Sequence, residues 1–163
     1  MTSTTETTDK PARILIEDNE EATREIMTSI LTAAGYECGV AATPAETLKV
    51  LKSGAKVDLV LCEIADWAEE DFKCMIWTTT PDIIPVLVST GVVGLMSKVL
   101  QMGAYDFLIK PFQREQLIFA VRRALQHRRL KLENFFLRDR LGLGSGIDIP
   151  LSLLGRRIRA GDP

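Results

Sequence analysis

Glu17, Asp18, Glu63, Thr90 and Lys110 are the residues of this chain whose types and settings allow shared chemistry. Each stands at the carboxyl end of a short apolar run. Three carboxylates brought together repel one another and attract a cation, and hard oxygen donors with room for water suit Mg²⁺. A lysine and a hydroxyl facing them would neutralise and hydrogen-bond an anionic group lying between. Taken singly, each is an ordinary solvated loop residue. The chemistry exists only if the fold gathers all five.

The pattern of runs implies such a fold. Val57-Asp58-Leu59-Val60-Leu61-Cys62-Glu63 sets four apolar residues between two acids, with Gly54 just before. Its shortness and its Val and Leu content predict a strand buried on both faces, the kind found in parallel sheets flanked by helices. Strands are likewise expected at Ile14-Leu15-Ile16, from Tyr36 to Ala42 with Cys38 and Val40 on one face, from Pro85 to Ser89, and at Phe107-Leu108-Ile109. Pro85 sits at a strand start, where a missing donor is tolerated.

Helices fill the intervals. From Glu20 to Ala34 the inward stripe reads Ala22, Ile26, Ile30 and Ala33, and Gly35 supplies the left-handed cap. Thr43-Pro44-Ala45-Glu46 opens a second helix with a capping box and runs to about Lys52. A loop from Ile64 to Glu70 leads to a short helix from Asp71 to Trp77. A further helix runs from Val93 to Met102 and stops at Gly103. The last begins near Gln113 and carries Leu117, Ile118, Val121, Ala124 and Leu125 at helical spacing. Strand and helix alternate five times, the mark of an α/β fold with a doubly wound, five-stranded parallel sheet in three layers. Right-handed crossovers then bring the strand ends to one rim, where such sheets hold their ligands.

The 163 residues suffice for one domain with a core and two tails. Residues 1–11, rich in Thr, read as a disordered tail. Acids outnumber bases by only 22 to 20, which argues against a general nucleic-acid or anionic-membrane binder. No apolar run approaches the ~18 residues of a membrane span, and the N-terminus lacks a signal-peptide core. Cys38, Cys62 and Cys74 lie in apolar segments and read as small buried hydrophobes of a cytoplasmic protein.

Four stretches together resemble a known family. Ile14 to Glu20, Asp58 to Glu63, Pro85 to Gly91, and Gly103-Ala104-Tyr105-Asp106-Phe107-Leu108-Ile109-Lys110-Pro111-Phe112 look like the receiver domain of two-component response regulators, over about residues 12–128. The resemblance implies a flavodoxin-like sheet in the order 2-1-3-4-5 and a signalling module rather than an enzyme. By position it makes Glu17 and Asp18 the acid pair that holds Mg²⁺, with Glu63 and the backbone carbonyl of Ala65 as further ligands. It makes Thr90 the switch hydroxyl, Phe107 the aromatic that moves with it, and Lys110 the lysine that bonds a phosphoryl oxygen. It also implies a cis Lys110–Pro111 bond.

The departure lies where the family carries its phosphoacceptor aspartate: this chain has Glu63. Glutamate reaches one carbon–carbon bond, ~1.5 Å, further than aspartate. An error of ~1 Å in such a reaction can cost ~10²-fold in rate, and Mg²⁺ tolerates little departure from octahedral geometry. The expectation is an atypical receiver that is not phosphorylated at Glu63, with Mg²⁺ weak or absent. Pairing of Glu63 with Lys110 would then either mimic the active state or disable the switch. Asp66 is a conceivable displaced acceptor, whereas Asp58 opens its strand at the opposite rim and cannot serve. The alternatives are a conventional receiver taking phosphate from a histidine kinase, and an FMN-binding flavodoxin-like protein, against which the acids Glu17 and Asp18 speak.

The last helix is expected to continue to about Arg140, before Gly142. Leu130, Asn134, Leu137 and Leu141 fall at 4-3-4 spacing, a short heptad-like seam, and Phe135 and Phe136 add apolar bulk. Residues 129–141 therefore form a helical extension expected to pair with a second copy, and 142–163 a Gly-punctuated tail. The stretch around His127 also resembles the connector between receivers and HD-GYP phosphodiesterases. The basic cluster Arg122, Arg123, His127, Arg128, Arg129 and Lys131 reads as a solvated helical face. Partners are thus a histidine kinase or another signalling protein and a second copy, with neither nucleic acid nor membrane.

Overall fold

The computed structural model describes residues 10–79 and 84–142. The expected terminal tails fall outside these apart from residues 10–11 and 142. Five parallel strands, β1 (Arg13–Glu17), β2 (Glu37–Ala41), β3 (Leu59–Glu63), β4 (Val86–Thr90) and β5 (Asp106–Ile109), form one sheet in the order β2-β1-β3-β4-β5. The helices are α1 (Glu21–Ala33), α2 (Pro44–Lys52), α3 (Glu69–Thr78), α4 (Met96–Gln101) and α5 (Arg114–Arg140). Single 3₁₀ turns at Ile64–Asp66 and Val93–Leu95 lead into α3 and α4.

Alternation along the strands divides the core in two. Ile14, Ile16, Leu59, Leu61, Leu87 and Leu108 pack with Met27 and Leu31 of α1 and with Leu117, Val121 and Ala124 of α5. The opposite face sets Leu15, Val60, Cys62, Val86 and Val88 against Phe72, Met75 and Ile76 of α3 and Val99 of α4. β3 lies at the centre with all five residues buried, so the rim at its carboxyl end is held from both faces.

The helix boundaries follow local chemistry. Thr43 Oγ1 accepts the Glu46 N–H at 3.2 Å, while Glu46 reaches back to the N–H of Ala42 at 2.7 Å. α3 starts at Glu69, earlier than Asp71, because Glu69, Glu70 and Asp71 all favour the positive end of a helix. Gln113 and Gln116 form a capping box at the head of α5. Gly103 holds φ at 113°, and a Cβ there would sit 2.7 Å from Ile76 Cγ2, so any side chain at that turn would be strained. Lys110–Pro111 is cis.

Several expectations need correction. The buried stripe of α1 is Met27 and Leu31, while Ile26 is 60% exposed and Ala22 and Ala33 face solvent. Two apolar lines offset by one residue compete there, and alanines carry too little hydrophobicity to decide between them. On β2, Cys38 is half-buried and Val40 is exposed, since an edge strand lacks a neighbour on one side. Cys74 is exposed because Phe72, Met75 and Ile76 take the inner face of α3; only Cys62 is a core cysteine.

Arg128 is the largest correction. It is buried, not solvated, and its guanidinium meets the Asp58 carboxylate at 3.1 Å. The same carboxylate accepts the Arg13 N–H at 2.9 Å. An ion pair thereby fastens α5 to the amino-terminal rim of the sheet, opposite the candidate site. Beyond it α5 continues to Arg140, exposing Leu130, Leu137 and Leu141. Phe135 and Phe136 stack edge to face at 5.5 Å.

Candidate functional site

The sheet order places the ends of β1, β3 and β4 side by side, and register fixes what meets. Glu17 pairs with Cys62, Glu63 with Ser89, and Thr90 with Ile109, one residue before Lys110. Glu17, Asp18, Glu63 and Thr90 are all buried there. Lys110 Nζ lies 2.8 Å from Asp18 Oδ2 and 2.8 Å from Glu63 Oε2. Burial pulls the ammonium's pKa down, but hydrogen bonds to Asp18 and Glu63 and their charges outweigh it, and the net shift is upward.

Every oxygen of Glu63 and Asp18 has a protein partner. Glu63 Oε2 also receives the Ser89 hydroxyl at 3.3 Å, and Oε1 receives the Ala65 N–H at 3.4 Å. Asp18 Oδ1 accepts the Glu20 N–H at 2.9 Å. Thr90 is occupied elsewhere: its Oγ1 accepts the Val92 N–H at 3.0 Å. Phe107 is half-buried in β5.

Glu17 is held differently. Its Oε2 accepts the Glu63 N–H at 3.1 Å and the Trp67 indole N–H at 3.0 Å, while Oε1 is buried without a partner. Burial, then the adjoining Asp66 carboxyl, push its pKa up to about 8. Two carboxyls in contact bond each other only when one carries a proton. Cys62 is pushed well above its ordinary range by burial and by the charges of Glu17, Glu63 and Asp66. Hard carboxylate oxygens with one buried orphan among them are a donor set that suits Mg²⁺.

Glu17 sets a pH dependence. Its folded pKa of about 8 lies above the ordinary glutamate value of 4.5, so the folded state keeps the proton longer than the unfolded chain. In chelator, this group's contribution is most favourable below pH 4.5. It declines as pH rises and reaches its low plateau above about pH 8. Urea unfolding of parent and Glu17→Gln from pH 5 to 9 is expected to show the parent losing stability relative to the variant across that window.

The sequence profile of the response regulator receiver domain matches residues 14–122. The chain belongs to the response regulator receiver family. Among curated relatives it is 31% identical to response regulator MprA of Mycobacterium ulcerans, over 91% of this chain and 64% of that protein. It is 33% identical to the DNA-binding transcriptional regulator NtrC of Rhizobium meliloti, over 76% of this chain and 26% of that protein. The chain spans 28% of the length of an NtrX-like response regulator of Rickettsia bellii. Among solved structures, NtrX from Brucella abortus superposes with a TM-score of 0.75 at 28% identity, covering 92% of this chain and 34% of that one. A CheY-like receiver from Methanospirillum hungatei gives 0.67 at 25% identity, covering 74% and 98%. This receiver is therefore a module of two-component signalling, and no described helix is long and apolar enough to cross a membrane.

The fold thus joins Asp18 and Glu63 through Lys110 and bonds Glu17 to the Glu63 N–H, with Thr90 at the same rim but bonded to its own loop. Ala65 donates its N–H to Glu63 Oε1. Two site residues were missed from sequence. Ser89 follows from the β3–β4 register, which an apolar run does not reveal. Trp67, 8% exposed, directly follows Asp66; a tryptophan amid five acids was the available signal.

Proposed function

We propose that this receiver is held in one state by a Glu63–Lys110–Asp18 lock instead of being toggled by phosphorylation at Glu63. It passes its signal by protein–protein contact, with the exposed Leu130 and Leu137 of α5 and the following Leu141 pairing against a second copy. The observation that carries this is the Lys110 ammonium at 2.8 Å from both carboxylates. The ammonium and Ser89 both hold Oε2, one of the two oxygens that could attack phosphorus, and the Ala65 N–H holds Oε1. The lock holds the resting arrangement without mimicking the phosphorylated one, because the Thr90 hydroxyl is engaged by Val92 and not drawn toward Glu63. A histidine kinase or another signalling protein is the partner class, and a cation among the acids would serve to neutralise their charge.

Glu63→Asp tests this. Withdrawing the carboxylate by ~1.5 Å frees it from Ser89 and Lys110. Uptake of phosphate from acetyl phosphate is expected to rise by at least ~10²-fold over the parent, with a change in dimer fraction by light scattering. Label entering the parent as readily as the variant, with hydrolysis on standing, would instead identify a conventional phosphoacceptor.

A further inference from the structure

Four acids crowd this rim, yet only two of them are satisfied by the protein. Asp18 divides its oxygens between the Glu20 N–H and Lys110, and Glu63 divides its own among Lys110, Ser89 and the Ala65 N–H. Glu17 Oε1, on a side chain with no exposed surface, has no partner. The carboxylate of Asp66 adjoins Glu17, pinned by Oδ2 to the Asn19 N–H at 3.1 Å. Nearby cations are engaged elsewhere: Lys110 lies between Asp18 and Glu63, and Arg24 donates to the Asp18 carbonyl at 2.6 Å. Asp66 is only half-buried, so water reaches the pair from outside.

We propose that a divalent cation of the Mg²⁺ class binds between Glu17 and Asp66, on the Trp67 side of the rim, and leaves Glu63 to Lys110. Mg²⁺ commonly takes one or two carboxylates and keeps several waters. Among the described residues no three His, Cys, Asp or Glu side chains are arranged to hold a metal, so water must supply the remaining ligands. The ligand set differs from the one the family resemblance implies, since Asp66, three residues after Glu63, takes the place of the acid at that position. The longer Glu63 side chain explains the shift: its carboxylate extends past the end of β3 to Ser89 and Lys110, and the first 3₁₀ turn returns an acid toward Glu17. The inference stands apart from the lock, because the cation can bind there whether or not Glu63 accepts phosphate.

The probe is Mn²⁺, titrated calorimetrically into chelator-treated full-length protein, with Mg²⁺ in parallel. One saturable site is expected, and Asp66→Asn should weaken it by at least about tenfold. Trp67 supplies a second readout. In a Trp77→Phe background, which silences the exposed tryptophan, Mn²⁺ and Mg²⁺ are both expected to change indole emission through the shared Glu17 carboxylate. The anomalous signal of Mn²⁺ in crystals of the parent locates the ion without any variant, and it should bond Glu17 Oε1 and Asp66. An ion bonded to the Glu63 carboxylate, an Asp66→Asn variant of parental affinity, or the absence of saturable binding would each overturn the proposal.

Discussion

Replacing Arg128 with leucine is expected to destabilise the protein by about 3–5 kcal/mol, the usual cost of breaking a buried ion pair by removing one member. Arg128 and Asp58 have side chains 9% and 3% exposed, at 3.1 Å. Leucine fills part of the space of the arginine stem but takes the guanidinium away from the Asp58 carboxylate, which also accepts the Arg13 N–H at 2.9 Å and has Lys56 at 3.7 Å. Removing both charges is a different experiment. The double variant Asp58→Leu/Arg128→Leu is expected to recover most of the loss, since a buried pair replaced by apolar groups is often neutral. What remains should be the unpaired Arg13 N–H, about 1–3 kcal/mol. Urea unfolding of parent, both single variants and the double variant closes the cycle. A single Arg128→Leu change within about 1 kcal/mol of parent would mean that the pair is effectively solvated and does not fasten α5 to the sheet.

That pair also marks the limit of what the sequence discloses. β1, β3, β4 and β5 were legible as short apolar runs, since a buried parallel strand has little polar face to confuse the pattern. The edge strand β2 was legible in place but not in which of its residues are buried. The end of α5 at Arg140 was legible too, since Gly142 with its φ of 68° supplies the left-handed stop. Arg128 was not. Arg128 and Arg129 are adjacent and about 100° apart around a helix, and charge alone makes both look solvated; only the position of α5 over β3 turns one inward. The choice between Ile26 and Met27 in α1 failed in the same way. In the site, Glu63 facing Lys110 followed from the order of strands, whereas Trp67 bonding Glu17 depends on a 3₁₀ turn at Ile64–Asp66 that no periodicity announces.

Lys110→Met is expected to cost nearly as much as losing Arg128, about 3 kcal/mol, toward the lower end for a broken buried pair because the lysine is partly open to water. Its side chain is 27% exposed, against 1% for Asp18 and 9% for Glu63. Methionine preserves the stem and removes the charge, so Asp18 Oδ2 and Glu63 Oε2 face each other across the vacated position with Glu17 and Asp66 nearby. A charge repulsion of this kind has two remedies, and both are measurable. Adding Glu63→Gln to Lys110→Met should restore part of the melting temperature by deleting one of the opposed charges. Millimolar Mg²⁺ should raise the melting temperature of Lys110→Met more than that of the parent, since a cation bound only to the folded state stabilises it by mass action. The sign with pH is also fixed. Lys110 titrates above its ordinary 10.5 when folded, so its contribution is complete below that value and fades only as pH climbs through the raised one. Because Glu17 gains charge near pH 8 beside the vacated position, the gap between parent and Lys110→Met is expected to hold or widen from pH 7 to pH 9. A gap that closes between those values, or one near zero throughout, would show that the ammonium is not locked between the two carboxylates, and the fixed-state reading of this receiver would lose its support.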